Sequence, residues 1–323
     1  MRSRSFQKRA AAQIFPAAPF HFDGTFHKPS HFPAPLEAWE PDRYWQTLRV
    51  GGSLYGVRIE NGGSIAEPAL RVSIFSDRQV TAPDREIVRR ELVWRFDLDT
   101  ELRAFGRLAR QDRRIQGVWR RWRGMRDSSA NSIYELLVIA ILLQNATVRR
   151  TVQMMNALLE AFGTKVSFDS KSLFAMWRPE DLDHVSDEEL RALKVGYRAR
   201  FLKRLSDDFA RGTVNDLELR TLDPDSARKK LLRLYGVGPE TARILLYPAC
   251  HRYARLDHIA PWQQKIYSRL LYNKTLVPVR KILGDLNQRY GDYASVAIDY
   301  VWEDLFWRHS RKPIPWLQKE IRL

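Results

Sequence analysis

The chain has 323 residues, and its 54 lysines and arginines outnumber its 38 aspartates and glutamates by 16. A surplus of this size favours a polyanionic partner, with nucleic acid ahead of an anionic membrane. The single cysteine, Cys250, excludes a disulfide framework, a four-cysteine zinc site and an iron–sulfur cluster, and it is typical of a reducing compartment. The longest apolar run, residues 136–143, has the length of a buried core helix rather than of a membrane span.

The N-terminal part of the chain predicts a basic arm followed by a small α+β domain. Residues 1–19 contain no acid, and we expect them to form a flexible arm. In residues 20–96, alternating apolar runs separated by glycines are typical of an antiparallel hairpin sheet, and a helix follows with Asp84 as its N-cap. The expected strands are 44–50, 53–60 and 69–75, and the expected helix is 84–96.

Helical patterns dominate residues 97–323, which we expect to form an all-α domain. Residues 132–144 are apolar on nearly every side and predict a central buried helix. Residues 164–190 are acidic and interrupted by proline, and we expect them to face solvent, away from an anionic partner.

An arginine-rich segment opens the helical domain. Residues 102–126 hold nine arginines against one acid, Asp112. They predict either a surface that contacts phosphates or a solvated helix face whose Trp119 and Trp122 point into the core. The sequence leaves both interpretations open.

The predicted central helix ends in a polar pair, Gln144 and Asn145. A short polar tip on a rigid element could enter a duplex and fill the gap left by an extruded base. The alternative is an ordinary interhelical turn with Asn145 as a cap.

The stretch from Leu234 to Asp257 combines a glycine turn, a helix start and a carboxylate. Gly236 and Gly238 allow a ligand to approach the backbone closely, and Pro239 suits a first helical position. The free N–H groups of that helix start form an anion site, and phosphate is the obvious anion. Asp257 is either a catalytic carboxylate or the N-cap of a helix that begins at His258.

In this order, the stretch resembles the helix-hairpin-helix DNA glycosylase superfamily. Gly196-Tyr197-Arg198-Ala199, Phe96-Asp97-Leu98-Asp99 and Asn145 are similar to the 8-oxoguanine glycosylase branch, and Tyr293-Ala294 is similar to that branch and to the 3-methyladenine glycosylase II branch. The resemblance implies an antiparallel α+β domain followed by a two-lobed helical domain. It also implies a hairpin that binds phosphate through Leu234, Gly236, Gly238 and Thr241, sometimes with a monovalent cation and with no required cofactor.

The resemblance further implies that Asp257 is catalytic and that Gln144 and Asn145 form the duplex wedge. Bifunctional members carry a lysine two residues after the second hairpin glycine, where this chain has Glu240, and Lys265 is a remote substitute. Ser295 and Asp299 stand where the 8-oxoguanine branch has its base-reading glutamine and stacking phenylalanine.

These departures imply a monofunctional N-glycosylase that removes damaged, alkylated purines from duplex DNA. The alternatives are a glycosylase/lyase for oxidised purines with a non-standard lysine, and a catalytically inactive damage-binding protein. We expect a monomer in the cytoplasm at the nucleoid, or in the nucleus of a eukaryote. The candidates for a base pocket, each of which could equally be a core residue, are Tyr134, Trp262, Tyr293, Asp299 and Trp302.

Overall fold

The computed structural model describes residues 2–127, 129–253 and 255–321. Two sheets carry the strands of these residues. The strands are β1 (Arg2–Ser5), β2 (Gln7–Ile14), β3 (Glu37–Glu40), β4 (Arg43–Val50), β5 (Ser53–Asn61), β6 (Leu70–Ser76), β7 (Thr164–Phe168) and β8 (Lys171–Ala175).

Helices make up most of the remaining structure. Short 3₁₀ turns cover Pro179–Leu182 and Gly291–Tyr293. The α-helices of the described residues are α1 (Phe22–Phe26), α2 (Ala82–Arg95), α3 (Arg103–Gln111), α4 (Gln116–Arg121), α5 (Ile133–Leu143), α6 (Val148–Phe162), α7 (Asp187–Ala192), α8 (Arg198–Ala210), α9 (Asp216–Leu219), α10 (Pro224–Leu232), α11 (Pro239–Cys250), α12 (Pro261–Tyr272), α13 (Val279–Tyr290), α14 (Ala294–Arg311) and α15 (Pro315–Glu320).

The larger sheet has the strand order β2-β6-β5-β4-β3, and every neighbouring pair is antiparallel. The three predicted hairpin strands are therefore confirmed as β4, β5 and β6. Helices α1 and α2 cover one face of this sheet, where Tyr44, Ile59 and Leu92 belong to one buried cluster. The N-cap of α2 is Thr81 rather than the predicted Asp84, which occupies the third helical position and completes a capping box.

The prediction of a flexible N-terminal arm is wrong. Strand β2 pairs with β6 at the edge of the larger sheet, and β1 pairs in parallel with β7. Both strands lie at sheet edges, so most of their side chains are exposed and their sequence lacks the apolar alternation of a half-buried strand. Phe6, between them, is nevertheless only 5% exposed.

The smaller sheet has the order β1-β7-β8 and packs against the larger one. Residues 164–175 form its hairpin, with Val166 and Leu173 buried, so the predicted solvent-facing segment is wrong there. Phe168 lies so close to the β5 backbone that a Cβ on Gly56 would come within 2.7 Å of its ring. The sheet layer thus draws strands from outside residues 20–96, and the predicted boundary between two continuous domains does not hold.

The helices form two separate cores. The first contains side chains from α5 to α11, with the predicted central helix confirmed as α5. The second contains side chains from α3, α4 and α12 to α15. The chain crosses from the first core to the second between α11 and α12. None of the helices in the described part of the chain has the length and hydropathy needed to cross a bilayer.

Candidate functional site

The hairpin between α10 and α11 holds two glycines with different roles. Gly236 has a φ of +87°, and a Cβ there would lie 2.8 Å from the ring of Phe201. Gly238 is the N-cap of α11 with a φ of −92°, and it has open space where a Cβ would be. Gly236 is therefore required by the turn, whereas Gly238 keeps the backbone open to a ligand.

The start of α11 leaves backbone donors free. Its first intrahelical hydrogen bond runs from the Ala242 N–H to the Gly238 carbonyl over 3.0 Å. The amides of Glu240 and Thr241 precede that bond and have no intrahelical acceptor, which is the arrangement that favours an anion. Leu234 is only 5% exposed and anchors the hairpin in the first core, and its N–H donates to the Leu231 carbonyl over 3.1 Å, so the predicted direct contact of Leu234 with phosphate has no free donor.

The polar tip of α5 meets this hairpin directly. Gln144 Nε2 donates to the Gly236 carbonyl over 2.7 Å, and the Arg198 guanidinium donates to the Gln144 and Ile141 carbonyls. Asn145 is exposed in a left-handed conformation with a φ of +50°, and its Nδ2 lies 3.4 Å from the Tyr197 hydroxyl. Gln144 thus fixes the tip to the hairpin, and Asn145 is the member of the pair that faces outward.

Asp257 lies on the segment that crosses between the two helical cores. Its side chain is 55% exposed, and Oδ2 lies 3.3 Å from Nη1 of Arg228 on α10. The flanking Leu256 is buried in the second core, and its backbone is held at both ends by the Asn287 side chain. Asp257 is therefore a solvent-accessible carboxylate on a fixed backbone.

The alternative role of Asp257 as a helix N-cap is wrong. Helix α12 begins at Pro261 with Ala260 as its N-cap. Pro261 at the first helical position disfavours a helical conformation in the residue before it, so the helix cannot begin at His258.

Glu240 follows the hairpin and points along α11. It makes a two-pronged ion pair with Arg243, whose Nε and Nη2 lie 3.1 and 2.7 Å from its oxygens, and His258 Nε2 lies 3.6 Å away. Hydrogen bonding from Arg243 lowers the pKa of Glu240. Lys265 is held at 3.1 Å by Glu320 near the C-terminal end of the described chain, so it is engaged elsewhere.

Of the predicted base-pocket residues, one is a core residue and the others lie in or on the second helical core. Tyr134 is buried in the first core, where its hydroxyl bonds to Ser206 and to the Trp177 indole, so its assignment to a pocket is wrong. Trp262 is 43% exposed on α12 and packs edge-on against Trp302 of α14, with ring centroids 5.5 Å apart. Tyr293 is half-buried against Tyr253 and Phe105.

Asp299 belongs to a polar group that we call the carboxyl cluster, formed by Lys28, Asp127, Asp299 and Glu303. The Asp127 and Asp299 carboxyls are joined by a side-chain hydrogen bond. Such a bond needs one proton between two acids. Both residues are partly exposed, but protein surrounds their carboxyl groups, and this burial raises the pKa of each, that of Asp299 well above its usual range.

Glu303 lies one turn beyond Asp299 and is only 4% exposed. Ser30 donates to its Oε1, while among the described residues Oε2 has no hydrogen-bond partner. Lys28 Nζ donates to the Arg126 carbonyl over 2.7 Å, and burial lowers the pKa of this ammonium. The cluster therefore places three acids against one lysine.

The carboxyl cluster lies beside α11. Burial lowers the pKa of Arg243, but the hydrogen bond and charge of Glu240, with a smaller contribution from Asp299, raise it overall. Burial, and then the charge of Asp299, raises the pKa of Tyr267. The rings of Tyr247 and Tyr253 stack with centroids 4.8 Å apart. Their raised pKa values come mainly from burial, and Asp127 adds to both. The structure thus gathers Glu240, Arg243 and the cluster along one side of α11.

Sequence reasoning did not find Lys28, Asp127, Arg228 and Arg243 as site residues. Arg243 stands three positions after Glu240, a spacing that pairs opposite charges on a helix and could have indicated it. Lys28 and Asp127 meet Asp299 only through long-range packing, which leaves no local signal.

Within the described residues, no group of three or more His, Cys, Asp or Glu side chains is arranged to hold a metal ion. For a monovalent cation, the relevant ligands are hairpin carbonyls. The Leu234 carbonyl accepts from Val237 N–H and the Gly236 carbonyl accepts from Gln144, so each keeps one lone pair. Both carbonyls therefore have a lone pair that a cation would use, and the presence of such an ion stays a prediction.

Comparison with known proteins gives relatives for most of the chain, although no family model matches it. A DNA-3-methyladenine glycosylase of Bacillus subtilis is 22% identical over 250 residues, which is 73% of this chain and 82% of the relative. A probable N-glycosylase/DNA lyase of Methanothermobacter thermautotrophicus is 25% identical over 290 residues, covering 83% and 86% of the two chains. The 3-methyladenine DNA-glycosylase structure from Archaeoglobus fulgidus superposes with a TM-score of 0.72 at 18% identity, covering 94% of this chain and 99% of that one.

These relatives and this structural neighbour match the resemblance to the helix-hairpin-helix DNA glycosylase superfamily, and the chain has the fold of that neighbour. The expected fold class is confirmed, with an antiparallel sheet layer followed by a two-lobed helical domain. The hairpin of this glycosylase fold is residues 233–238.

Proposed function

We propose that the chain is a monofunctional DNA N-glycosylase that removes alkylated purines from duplex DNA. The observation that carries the proposal is the Glu240–Arg243–His258 group beside Asp257. Glu240 stands two residues after Gly238, where a Schiff-base mechanism would need the amine of a lysine, and its carboxylate is paired with Arg243 and lies near His258. Asp257 is then the acid available to the sugar.

Asp257 would act on the positive charge that develops on the sugar as the glycosidic bond breaks. A carboxylate about 4 Å from that charge stabilises it by roughly 4 kcal/mol at an effective dielectric near 20. This corresponds to about three decades of rate. Duplex DNA would cover the exposed side chain and exclude the water that weakens its field.

The rest of the catalysis would come from the leaving group. A cationic alkylated purine leaves more readily than a neutral oxidised purine. The free amides of Glu240 and Thr241 would hold the phosphate of the damaged strand. Asn145 would fill the gap left by the extruded nucleotide.

The test is a panel of duplexes carrying alkylated or oxidised purines, scored for release of the free base. We expect release from alkylated purines, and Asp257→Asn should lower it by about three decades while duplex affinity stays within a few-fold. If no duplex in the panel loses a base, the chain is a damage-binding protein instead.

A second candidate is a glycosylase/lyase that uses Lys28. This lysine lies in the carboxyl cluster, and burial lowers its pKa, as a Schiff-base amine requires. Borohydride reduction during turnover separates the two functions. A covalent DNA adduct that Lys28→Gln abolishes, and Lys265→Gln retains, would overturn the monofunctional assignment.

A further inference from the structure

A groove rimmed by five arginines lies on the second helical core. We call it the arginine groove and define it by Arg103, Arg107, Arg110, Arg120 and Arg123. All five side chains are exposed, and they line two adjoining depressions of about 390 and 530 Å³. Trp119 forms the floor, and Ala66 from the loop between β5 and β6 closes one side.

The sequence builds this groove by helix spacing and by one close contact. Arg103, Arg107 and Arg110 recur at three- and four-residue intervals on α3, while Phe105 and Ala109 occupy the buried face. Gly106 lets the two helices approach, since a Cβ there would lie 2.5 Å from the Trp119 ring. The arginine row of α3 is thereby set against Arg120 and Arg123.

The charges of the groove are not neutralised by the protein. Arg103 lies 3.7 Å from the exposed Glu101, and among the described residues the other four make no ion pair. Neighbouring arginines that point away from the groove are paired, Arg114 with Asp112 and Arg121 with Asp304. The four unpaired arginines therefore leave the groove with positive charge that the described residues do not neutralise.

The groove is separate from the hairpin of residues 233–238. Trp119 is only 3% exposed and packs against Phe105 and Tyr300, which places the aromatic layer of the second core beneath the groove. The hairpin is anchored in the first core through Leu234 and Val237. A ligand in the arginine groove would therefore make a contact in addition to any at the hairpin.

We propose that the arginine groove is a second DNA contact that binds backbone phosphates of duplex DNA. Guanidinium groups bind phosphate oxygens in a two-pronged geometry, and a row of them follows a strand. An acidic protein partner would need an apolar centre in its interface. The groove does not offer one, because its Trp119 floor is buried and its rim has one large exposed apolar side chain, Ile65, at 39% exposure. Duplex DNA also fits a chain with a surplus of 16 positive charges.

The experiment measures the affinity for undamaged duplex as a function of salt, so its outcome does not depend on base release. The variant is Arg107→Gln/Arg110→Gln/Arg123→Gln. The control is Arg85→Gln/Arg89→Gln/Arg90→Gln, which removes the same charge from α2. Each phosphate contact contributes about 0.9 to the slope of log affinity against log salt between roughly 50 and 200 mM.

We expect the groove variant to lose about 2.7 from that slope and the control to lose less than about 1. Replacing the same three arginines by lysine should restore most of the slope, because the charge returns. Equal slopes for the groove variant and the control would overturn the proposal. The proposal would also be overturned if the groove variant bound duplex DNA as the wild type does but lost binding to poly-glutamate. That result would indicate an acidic protein partner.

If the triple variant fails to fold, Arg110→Gln and Arg123→Gln are measured singly, and each should lower the slope by about 0.9. Two single variants with wild-type slopes would also overturn the proposal.

Discussion

At the scale of single residues, Asp299 separates this chain from the 8-oxoguanine branch that it resembles. A stacking phenylalanine would give a base an apolar face, whereas the hydrogen-bonded pair of Asp127 and Asp299 gives a donor and an acceptor that share one proton. Since burial raises the pKa of both, the pair keeps its proton at a pH where exposed carboxyls have lost theirs. If Asp127 and Asp299 bind the damaged base, activity depends on the proton that the two carboxyls share.

We expect the wild type to lose activity at high pH and Asp299→Asn to keep it. In the wild type, raising the pH through the raised pKa of the pair takes away the shared proton, and two ionised carboxylates then repel each other. Asparagine donates to Asp127 at every pH, so the variant should keep its activity there. The measurement is kcat/KM for one alkylated duplex across the pH range, with the exposed Asp292→Asn as a control that keeps the wild-type profile. Identical profiles for wild type and Asp299→Asn would contradict the expectation.

Asp97 carries a second titration, one that bears on stability. It is 3% exposed in a left-handed conformation with a φ of 51°, accepts from the Thr100 and Tyr247 hydroxyls, and lies 3.4 Å from His251. Burial raises its pKa from 3.8 to about 6. Between these two values the folded state holds more protons than the unfolded state, so stability falls as the pH rises and levels off above about 6.

Asp97→Asn should abolish this fall, which amounts to about 3 kcal/mol. Asparagine keeps an acceptor and tolerates a positive φ, so the fold is retained. Urea unfolding at several pH values measures it: the free energy of unfolding of the variant, minus that of the wild type, should increase between about pH 4 and 6. A constant difference would show that Asp97 does not titrate in this window.

At the scale of elements, the hairpin shows what local sequence can and cannot predict. Gly236 and Gly238 look alike in the sequence, and both were expected to serve phosphate. The structure separates them because only Gly236 has a positive φ and a neighbour, Phe201, that excludes a side chain. Spacing indicates where a turn lies, but the packing partner that distinguishes its two glycines comes from α8, far along the chain.

The two glycines should therefore respond differently to alanine. Gly236→Ala forces a Cβ into the Phe201 ring at a strained φ and should lower the free energy of unfolding by about 2 kcal/mol or more. Gly238→Ala should change it by less than about 1 kcal/mol, since the space is open, but should weaken duplex binding by obstructing the backbone. Unfolding and DNA-binding titrations on both variants test this. Equal stability losses would show that the turn does not discriminate between them.

At the scale of the whole molecule, the sheet layer is what the sequence predicted least well. The hairpin strands β4 to β6 follow from alternating apolar residues and glycine turns, which are short-range signals. The pairing of β1 with β7 joins Arg2 to Thr164, and nothing within a local window marks it. The same limit applies to the carboxyl cluster, where Lys28 and Asp127 approach Asp299 from distant parts of the chain. The hairpin and the central helix were predictable, while contacts between remote segments were not.

The N-terminal strands should be structural rather than dispensable. Phe6 is buried in a cluster with Trp45, Phe75 and Phe168, so Phe6→Ala should lower the free energy of unfolding by about 3 to 5 kcal/mol. Arg9→Ala, on an exposed position of β2, should change it by less than about 0.5 kcal/mol. Chemical denaturation of both variants provides the comparison. If Phe6→Ala were as stable as Arg9→Ala, residues 2–14 would be only loosely attached.

The pairing of β1 with β7 has a consequence for biosynthesis. Strand β1 leaves the ribosome before its partner, which is 162 positions further along, the difference between Thr164 and Arg2. At about 5–20 residues per second, the nascent chain carries an unpaired strand and a solvated Phe6 for roughly ten to thirty seconds. During that time the edge is free to pair with another polypeptide. Slowed translation should therefore lower the soluble yield of this protein, and a chaperone that covers residues 2–14 should restore it.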